Sequence, residues 1–220
     1  MRVISGRFKG VALTTPKAGT RPTTDRTKEA IFSHLDSWGV LDDARVLDLF
    51  AGTGALGIEA LSRGAQELVA VESSAPAATL IAHTLTALKR NRSWESGMSA
   101  RVIKARAEKY AAGAAVASFD VIFIDPPYIF ETEACNQLLS DLAGGDMTSS
   151  DTIIVLERST RSDDPTPPDG WAIADRRDYG ETAVYYIEPA SVGNLCRPQS
   201  TDGGGRVSVG SLGISSIHRR

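Results

Sequence analysis

In the second half of the chain the run Asp125-Pro126-Pro127-Tyr128 brings together a carboxylate, two backbone carbonyls and an aromatic ring. Consecutive prolines set their own φ angles and restrict the residue before them, so these carbonyls point in preset directions. The chemistry this suits is activation of a planar, conjugated NH₂ group. An exocyclic amine on a base is a poor nucleophile because its lone pair is delocalised into the ring. If the Asp125 side chain and the Pro126 carbonyl accept its N–H groups, the nitrogen moves toward tetrahedral geometry and the pair is localised. Attack on an electrophilic carbon then rests on orientation and electrostatics rather than on a strong general base. Tyr128 would stack on a base swung out of its strand, a contact worth about 1–3 kcal/mol.

A second constellation lies upstream. Residues 46–50 read as a strand that runs directly into Ala51-Gly52-Thr53-Gly54-Ala55-Leu56-Gly57. This is a G-x-G-x-x-G turn where a ligand meets a strand end. Gly52 and Gly54 let the backbone approach the ligand, with Phe50, Ala51 and Thr53 beside them, and Gly57 lets the following helix pack on the sheet. Glu72, twenty residues past Gly52 and followed by Ser73, is placed to accept hydrogen bonds from two ribose hydroxyls. Up to this point a dinucleotide and S-adenosylmethionine fit equally. Asp48 favours the second, because a pyrophosphate needs no carboxylate beneath the glycine turn whereas a methionine moiety brings an ammonium group. An Asp held only by the amides of the loop is the structural alternative.

Elements of particular kinds must position these residues. From residue 45 the pattern alternates strands with helices: strands at 45–50, 68–72, 100–104, 120–124 and 152–157, helices at 55–63, 76–90, 105–112 and 131–143. Such alternation implies right-handed crossovers and an α/β fold, a doubly wound, mostly parallel sheet of Rossmann-like type. Segments 171–177 and 183–188 read as an antiparallel hairpin that completes seven strands. Ahead of this body, 2–5 and 8–13 suggest a small β-hairpin. Thr23, Thr24 or Asp25 could then cap a helix through about residue 38, with Ala30, Ile31, His34 and Leu35 on one face. The expected organisation is an extension over 1–40, a catalytic domain over 41–189 and a Gly/Ser-rich flexible tail over 190–220.

The charge is divided unevenly. The chain has 220 residues and a formal net charge of −3, yet residues 1–30 carry seven basic side chains against Asp25 and Glu29. A basic segment on an acidic body can hold a polyanion at one face. Two cysteines, Cys135 and Cys196, offer neither a disulfide framework nor metal-ligand spacing, so no metal is expected. No long apolar run or signal-peptide pattern is present, which leads us to expect a cytoplasmic protein with no membrane contact, and a monomer.

With these residues in view, the chain resembles the RsmD family of bacterial 16S rRNA (guanine-N2)-methyltransferases over about residues 1–188. The resemblance rests on 2–10 (RVISGRFKG), on Arg21-Pro22-Thr23-Thr24-Asp25-Arg26 with Lys28-Glu29, on 48–57, on 59–63 (EALSR) and on 125–128. It implies a methyl group carried from S-adenosyl-L-methionine to N2 of one guanine, position 966 in rRNA numbering, with 16S rRNA in a partly assembled small subunit as partner. It also suggests roles for the basic segment. Arg7, Lys9, Arg21 and Arg26 would hold phosphates, while Thr23, Thr24 and Asp25 organise a helix start near the cofactor. One departure concerns the adenine site. Family members tend to carry Asn or Asp before an Ala after the third strand, where it can hold the adenine amino group, whereas here Arg106, which cannot accept that hydrogen bond, precedes Ala107, leaving the Ala107 backbone or Glu108 to hold the adenine. Other readings are an amino-methyltransferase of adenine in DNA or RNA or of a protein glutamine, and a non-catalytic RNA-binding assembly factor.

Overall fold

The computed structural model describes residues 1–14, 24–114 and 117–190. Arg21, Thr23 and the expected tail from 191 onward lie outside the described residues. Helix α1 (Asp25–Trp38) begins with Thr24 as its cap, whose hydroxyl accepts the Thr27 amide at 3.2 Å, and ends at Gly39 in the left-handed conformation. There follow β1 (Arg45–Leu49), α2 (Ala55–Ser62), β2 (Glu67–Glu72), α3 (Ala75–Lys89), β3 (Ser99–Lys104), α4 (Ala107–Ala111), β4 (Val121–Ile124), α5 (Thr132–Gly144), β5 (Ile153–Ser159), β6 (Trp171–Tyr179) and β7 (Thr182–Pro189).

These strands form a seven-stranded sheet in the order β3-β2-β1-β4-β5-β7-β6. The first five run parallel, and β7 joins β5 and β6 antiparallel. The chain reverses its direction of progress between β1 and β4, so a crevice opens at their carboxyl ends, where doubly wound sheets bind ligands. Strands β1, β2, β4 and β5 are buried almost throughout, as expected when helices cover both faces. Val46, Phe123 and Val155 pack with α1, α2 and α3 on one face. Leu47, Ile122, Ile124 and Leu156 pack with α4 and α5 on the other.

Three sequence expectations change in detail. The turn between the last two strands narrows to Gly180-Glu181, because Asp178 and Tyr179 pair with Ala183 and Thr182. On α1 the buried face includes Thr27, Lys28 and Phe32, whereas Ala30 is only partly covered. At the N-terminus the expected hairpin is a closed loop with a single antiparallel bridge, Arg2↔Ala12, since residues 5–10 form successive turns.

That loop has no core of its own. Val3, Phe8 and Leu13 join the same cluster as α1 and α2, so the described parts of 1–40, residues 1–14 and 24–40, share the core of the body that follows. What attaches the loop is polar. The Glu59 carboxylate, fully buried on α2, accepts the amides of Ile4 at 2.8 Å and Ser5 at 3.0 Å. It also meets Lys28 Nζ at 3.2 Å and Arg63 Nε at 2.9 Å. Lys28, itself fully buried, donates to the Arg2 carbonyl at 2.8 Å. The Ser62 hydroxyl accepts the Phe8 amide, and its carbonyl accepts that of Arg7. Every member of this buried charged group therefore has partners, the condition under which burial of charge is tolerated.

Candidate active site

The glycine turn positions the first half of the site. Leaving β1, the backbone passes through Phe50 at φ 61°, a left-handed conformation rare for a non-glycine residue, and then through Gly52 and Gly54, also at positive φ. The turn is fastened to the next strand: Ala51 N–H donates to the Val71 carbonyl at 3.0 Å and Gly52 N–H to Glu72 Oε2 at 2.8 Å. The other Glu72 oxygen accepts Ser74 N–H at 2.7 Å. Two backbone amides thus fix the carboxylate in place, and each oxygen keeps acceptor capacity toward the crevice.

Asp48 lies beneath this turn, 2% exposed, with Oδ2 accepting the Gly57 amide at 2.9 Å. Burial, together with Asp125 and Glu72 nearby, pushes its pKa up to about 7 against the opposing pull of that hydrogen bond. No basic side chain pairs with it among the described residues. A Cβ on Gly57 would collide with the Leu68 side chain and stand 3.1 Å from Asp48 Oδ2, which explains why α2 needs glycine there.

A cavity of about 1220 Å³ opens above these strand ends. Phe50, Ala51, Gly52, Thr53, Glu72, Ser73 and Ala107 line one half, whereas Asp48, Gly54 and Gly57 are not among the lining residues, Asp48 being turned to the Gly57 amide. Arg106 and Glu108 border that half as an ion pair at 2.9 Å. Asp125, Pro126, Pro127 and Tyr128 stand at the end of β4, and Tyr128 is 67% exposed. The second half is formed by Thr24, Arg26 and Thr27 at the start of α1, by Glu157 and Arg158 on β5, and by the β6–β7 turn from Asp178 to Thr182. The positive end of α1 and the Arg26 guanidinium together make this side attractive to phosphate.

Some expected residues stand elsewhere. Arg7 is engaged by Glu95 at 2.9 Å and by Met98 Sδ at 3.2 Å, because the turns over 5–10 fold it back onto the body, and it lines no part of the cavity. Lys9 and Asp25 are exposed and also outside the lining. Sequence reasoning did not include Met1, Thr27, Phe130, Glu157 or Arg158 in the site. Phe130 packs edge-on against Phe50 with ring centres 5.1 Å apart, and Arg158 Nη1 holds the Phe130 carbonyl at 2.7 Å. The β6–β7 hairpin was expected, but nothing in the sequence marked its end as part of the site, where the antiparallel return of β7 beside β5 brings residues 178–182.

The family model described as Conserved hypothetical protein 95 matches residues 1–188. The small-subunit rRNA methyltransferase D of Escherichia coli K12 is 31% identical over 184 residues, covering 83% of this chain and 87% of that protein. This chain belongs to the RsmD family. YlbH of Bacillus subtilis is 35% identical over 187 residues, 84% of the RsmD-family chain described here and 96% of YlbH. The solved structure of yhhF from Escherichia coli superposes with a TM-score of 0.73 at 29% identity, covering 86% of this chain and 97% of that one. A more distant likeness, at 14% identity and TM-score 0.57, is to magnesium protoporphyrin IX methyltransferase of Synechocystis with bound SAM, covering 78% and 87% of the two chains. It extends the agreement in fold: this RsmD-family protein has the Rossmann-like class I methyltransferase architecture.

Proposed function

We propose that this protein transfers a methyl group from S-adenosyl-L-methionine to the exocyclic N2 of a guanine in 16S rRNA, the position that the RsmD resemblance gives as guanine 966. The broader activity, methylation of rRNA, accords with its relatives named small-subunit rRNA methyltransferase D. The observation that carries the reading is the place of Asp125-Pro126-Pro127-Tyr128. It follows the carboxyl end of β4 and lines the same cavity as the glycine turn, Arg26 and the start of α1. A partly assembled small subunit in the cytoplasm is the setting this reading takes.

The residues present fit the cofactor. Glu72, preset by two amides, accepts from ribose hydroxyls, and the glycine turn allows close approach. Asp48, buried without a cation, suits an ammonium group beneath that turn. Of the residues at the start of α4, the Glu108 carboxylate can accept from the adenine amino group, which Arg106 cannot, and the Ala107 N–H can donate to a ring nitrogen. When bound, S-adenosylmethionine supplies an electrophilic methyl group on a sulfonium. The protein's part is then to hold the amine. The Asp125 carboxylate and the Pro126 carbonyl accept its N–H groups and localise its lone pair, Tyr128 stacks on the base, and Thr24 and Arg26 hold the adjoining backbone.

The test is methyl transfer to small ribosomal subunits from cells lacking the endogenous enzyme, with nucleoside analysis of the product. N2-methylguanosine formed by the intact protein, and reduced at least about 100-fold by Asp125→Ala at unchanged cofactor affinity, is the expected result. Label in adenine or in protein, or none in RNA while the cofactor still binds, would overturn the reading.

A further inference from the structure

The cavity holds one buried carboxylate to which the chemistry above gives no part. Glu157 is 5% exposed and lines the half assigned to the substrate. Its position follows from the sheet. The β4–β5 ladder is parallel and its last pair is Ile124↔Leu156, so Asp125 and Glu157 are the next residues on adjacent strands, whose spacing is about 4.8 Å. Phe123 and Val155, two residues back, share one hydrophobic cluster and Ile124 and Leu156 the other. Asp125 and Glu157 thus follow the last pair of the ladder, and both line the cavity at the carboxyl ends of neighbouring strands.

Guanine offers what two such neighbours can use. Its Watson–Crick edge carries N1–H and the 2-amino group next to each other, so adjacent acceptors meet adjacent donors. Adenine presents an acceptor at N1, which a carboxylate would repel. Resting on the reading of guanine N2 as the target, we infer that Glu157 is the specificity-determining residue of the site, accepting N1–H of the guanine whose 2-amino group Asp125 holds. Burial sharpens this selection. Sites built around a buried hydrogen bond to a substrate N–H reject analogues lacking it far more strongly than apolar pockets reject a changed shape. The same bond serves the chemistry, because N1–H becomes a stronger donor as positive charge develops on N2.

The decisive substrate is a ribosomal subunit carrying 2-aminopurine at the target position, since that base keeps the 2-amino group but has a lone pair at N1. The wild-type protein is expected to methylate guanine at least about 100-fold faster than 2-aminopurine. In Glu157→Gln the amide can turn its NH₂ toward that lone pair, so the variant loses rate on guanine and gains on 2-aminopurine, bringing the ratio to within about tenfold. Cofactor affinity by calorimetry and the thermal midpoint should match wild type. Equal rates on the two bases with the wild-type protein, which needs no variant to fold, would overturn the inference. So would an unchanged ratio in a folded Glu157→Gln protein. Both outcomes leave guanine methylation standing, whereas failure of the wild-type protein to form N2-methylguanosine removes the functional reading and this inference with it.

Discussion

Asp48 shows how one buried residue couples ionisation to ligand binding. With a folded pKa of about 7 against an ordinary value near 3.8, the ligand-free protein holds this proton more tightly than the unfolded chain does. The sign follows: its contribution to stability is greatest below about pH 4 and is lost as pH rises through about 7. A cation seated on Asp48 reverses the preference by favouring the carboxylate. Cofactor binding near pH 6.5 is therefore expected to release a proton. Calorimetry in buffers of different ionisation enthalpy should give apparent enthalpies that vary with the buffer, and Asp48→Asn should remove that dependence. Buffer-independent enthalpies in the wild-type protein would mean that Asp48 only fastens Gly57, the structural alternative raised by its hydrogen bond. Tyr128 is simpler at this scale: two-thirds exposed beside the cavity, it has little to lose in stability. Tyr128→Ala should cost catalysis on RNA roughly 10-fold or more through lost stacking, with an unchanged thermal midpoint.

Among the elements, α2 links the two functional parts, because one side supports the glycine turn and the other holds the N-terminal loop. Its eight residues are all buried, and the amphipathic pattern of a surface helix is absent for that reason. Gly57→Ala places a methyl group against Leu68 and Asp48, so the helix must move away from β1 and β2. A loss of about 1–3 kcal/mol in chemical denaturation is expected, together with weaker cofactor binding. Glu59→Gln acts on the opposite side. It leaves Lys28 and Arg63 without their shared carboxylate, which should cost about 3–5 kcal/mol. Hydrogen exchange provides the specific readout. The amides of Ile4 and Ser5, both donated to Glu59, should lose protection well before those of β1 and β4. Equal loss everywhere would show that the loop and the sheet open together.

For the whole molecule, an overall charge of −3 is a poor guide to its partner, because the first 30 residues carry seven basic side chains against two acidic ones. The fold places part of that charge, at Arg26, on the rim of the cavity, whereas the carboxylates Glu72, Asp48, Asp125 and Glu157 occupy the strand ends within or beneath it. Phosphate is thus attracted at the edge, and hydrogen-bond donors and cations are favoured inside. RNA affinity should fall steeply with salt, roughly tenfold or more between about 50 and about 200 mM, while cofactor affinity changes little. Arg26→Ala should flatten the log–log slope for RNA by about 0.7, the effect of one phosphate contact on a single strand. Among the described residues, no helix is long and apolar enough to cross a membrane.

Much of this architecture was legible in the amino-acid order, because its signals are local. Apolar runs bounded by turn residues mark the parallel strands to within two residues at each end, and the run Thr23-Thr24-Asp25 marks the start of α1, with Thr24 the residue that caps it. The glycine turn and the Asp-Pro-Pro-Tyr tetrad each declare a strand end, and two strand ends in one doubly wound sheet share one crevice. Glu157 and Arg158 illustrate what local signals cannot carry. In the sequence they are an unremarkable pair closing an apolar run, and only the parallel pairing of β5 with β4 brings Glu157 to the strand end next to the one that Asp125 follows. Arg7 likewise reads as a free cation until the turns over 5–10 bring it to Glu95 and Met98. Local order determined the elements and the two motifs, since helix caps, prolines and glycines act within a few residues of themselves. Which charges face the substrate and which only hold the fold together was decided by tertiary structure, because it depends on partners 26 to 91 residues away, as the bonds of Lys28 to Arg2 and of Arg7 to Met98 show.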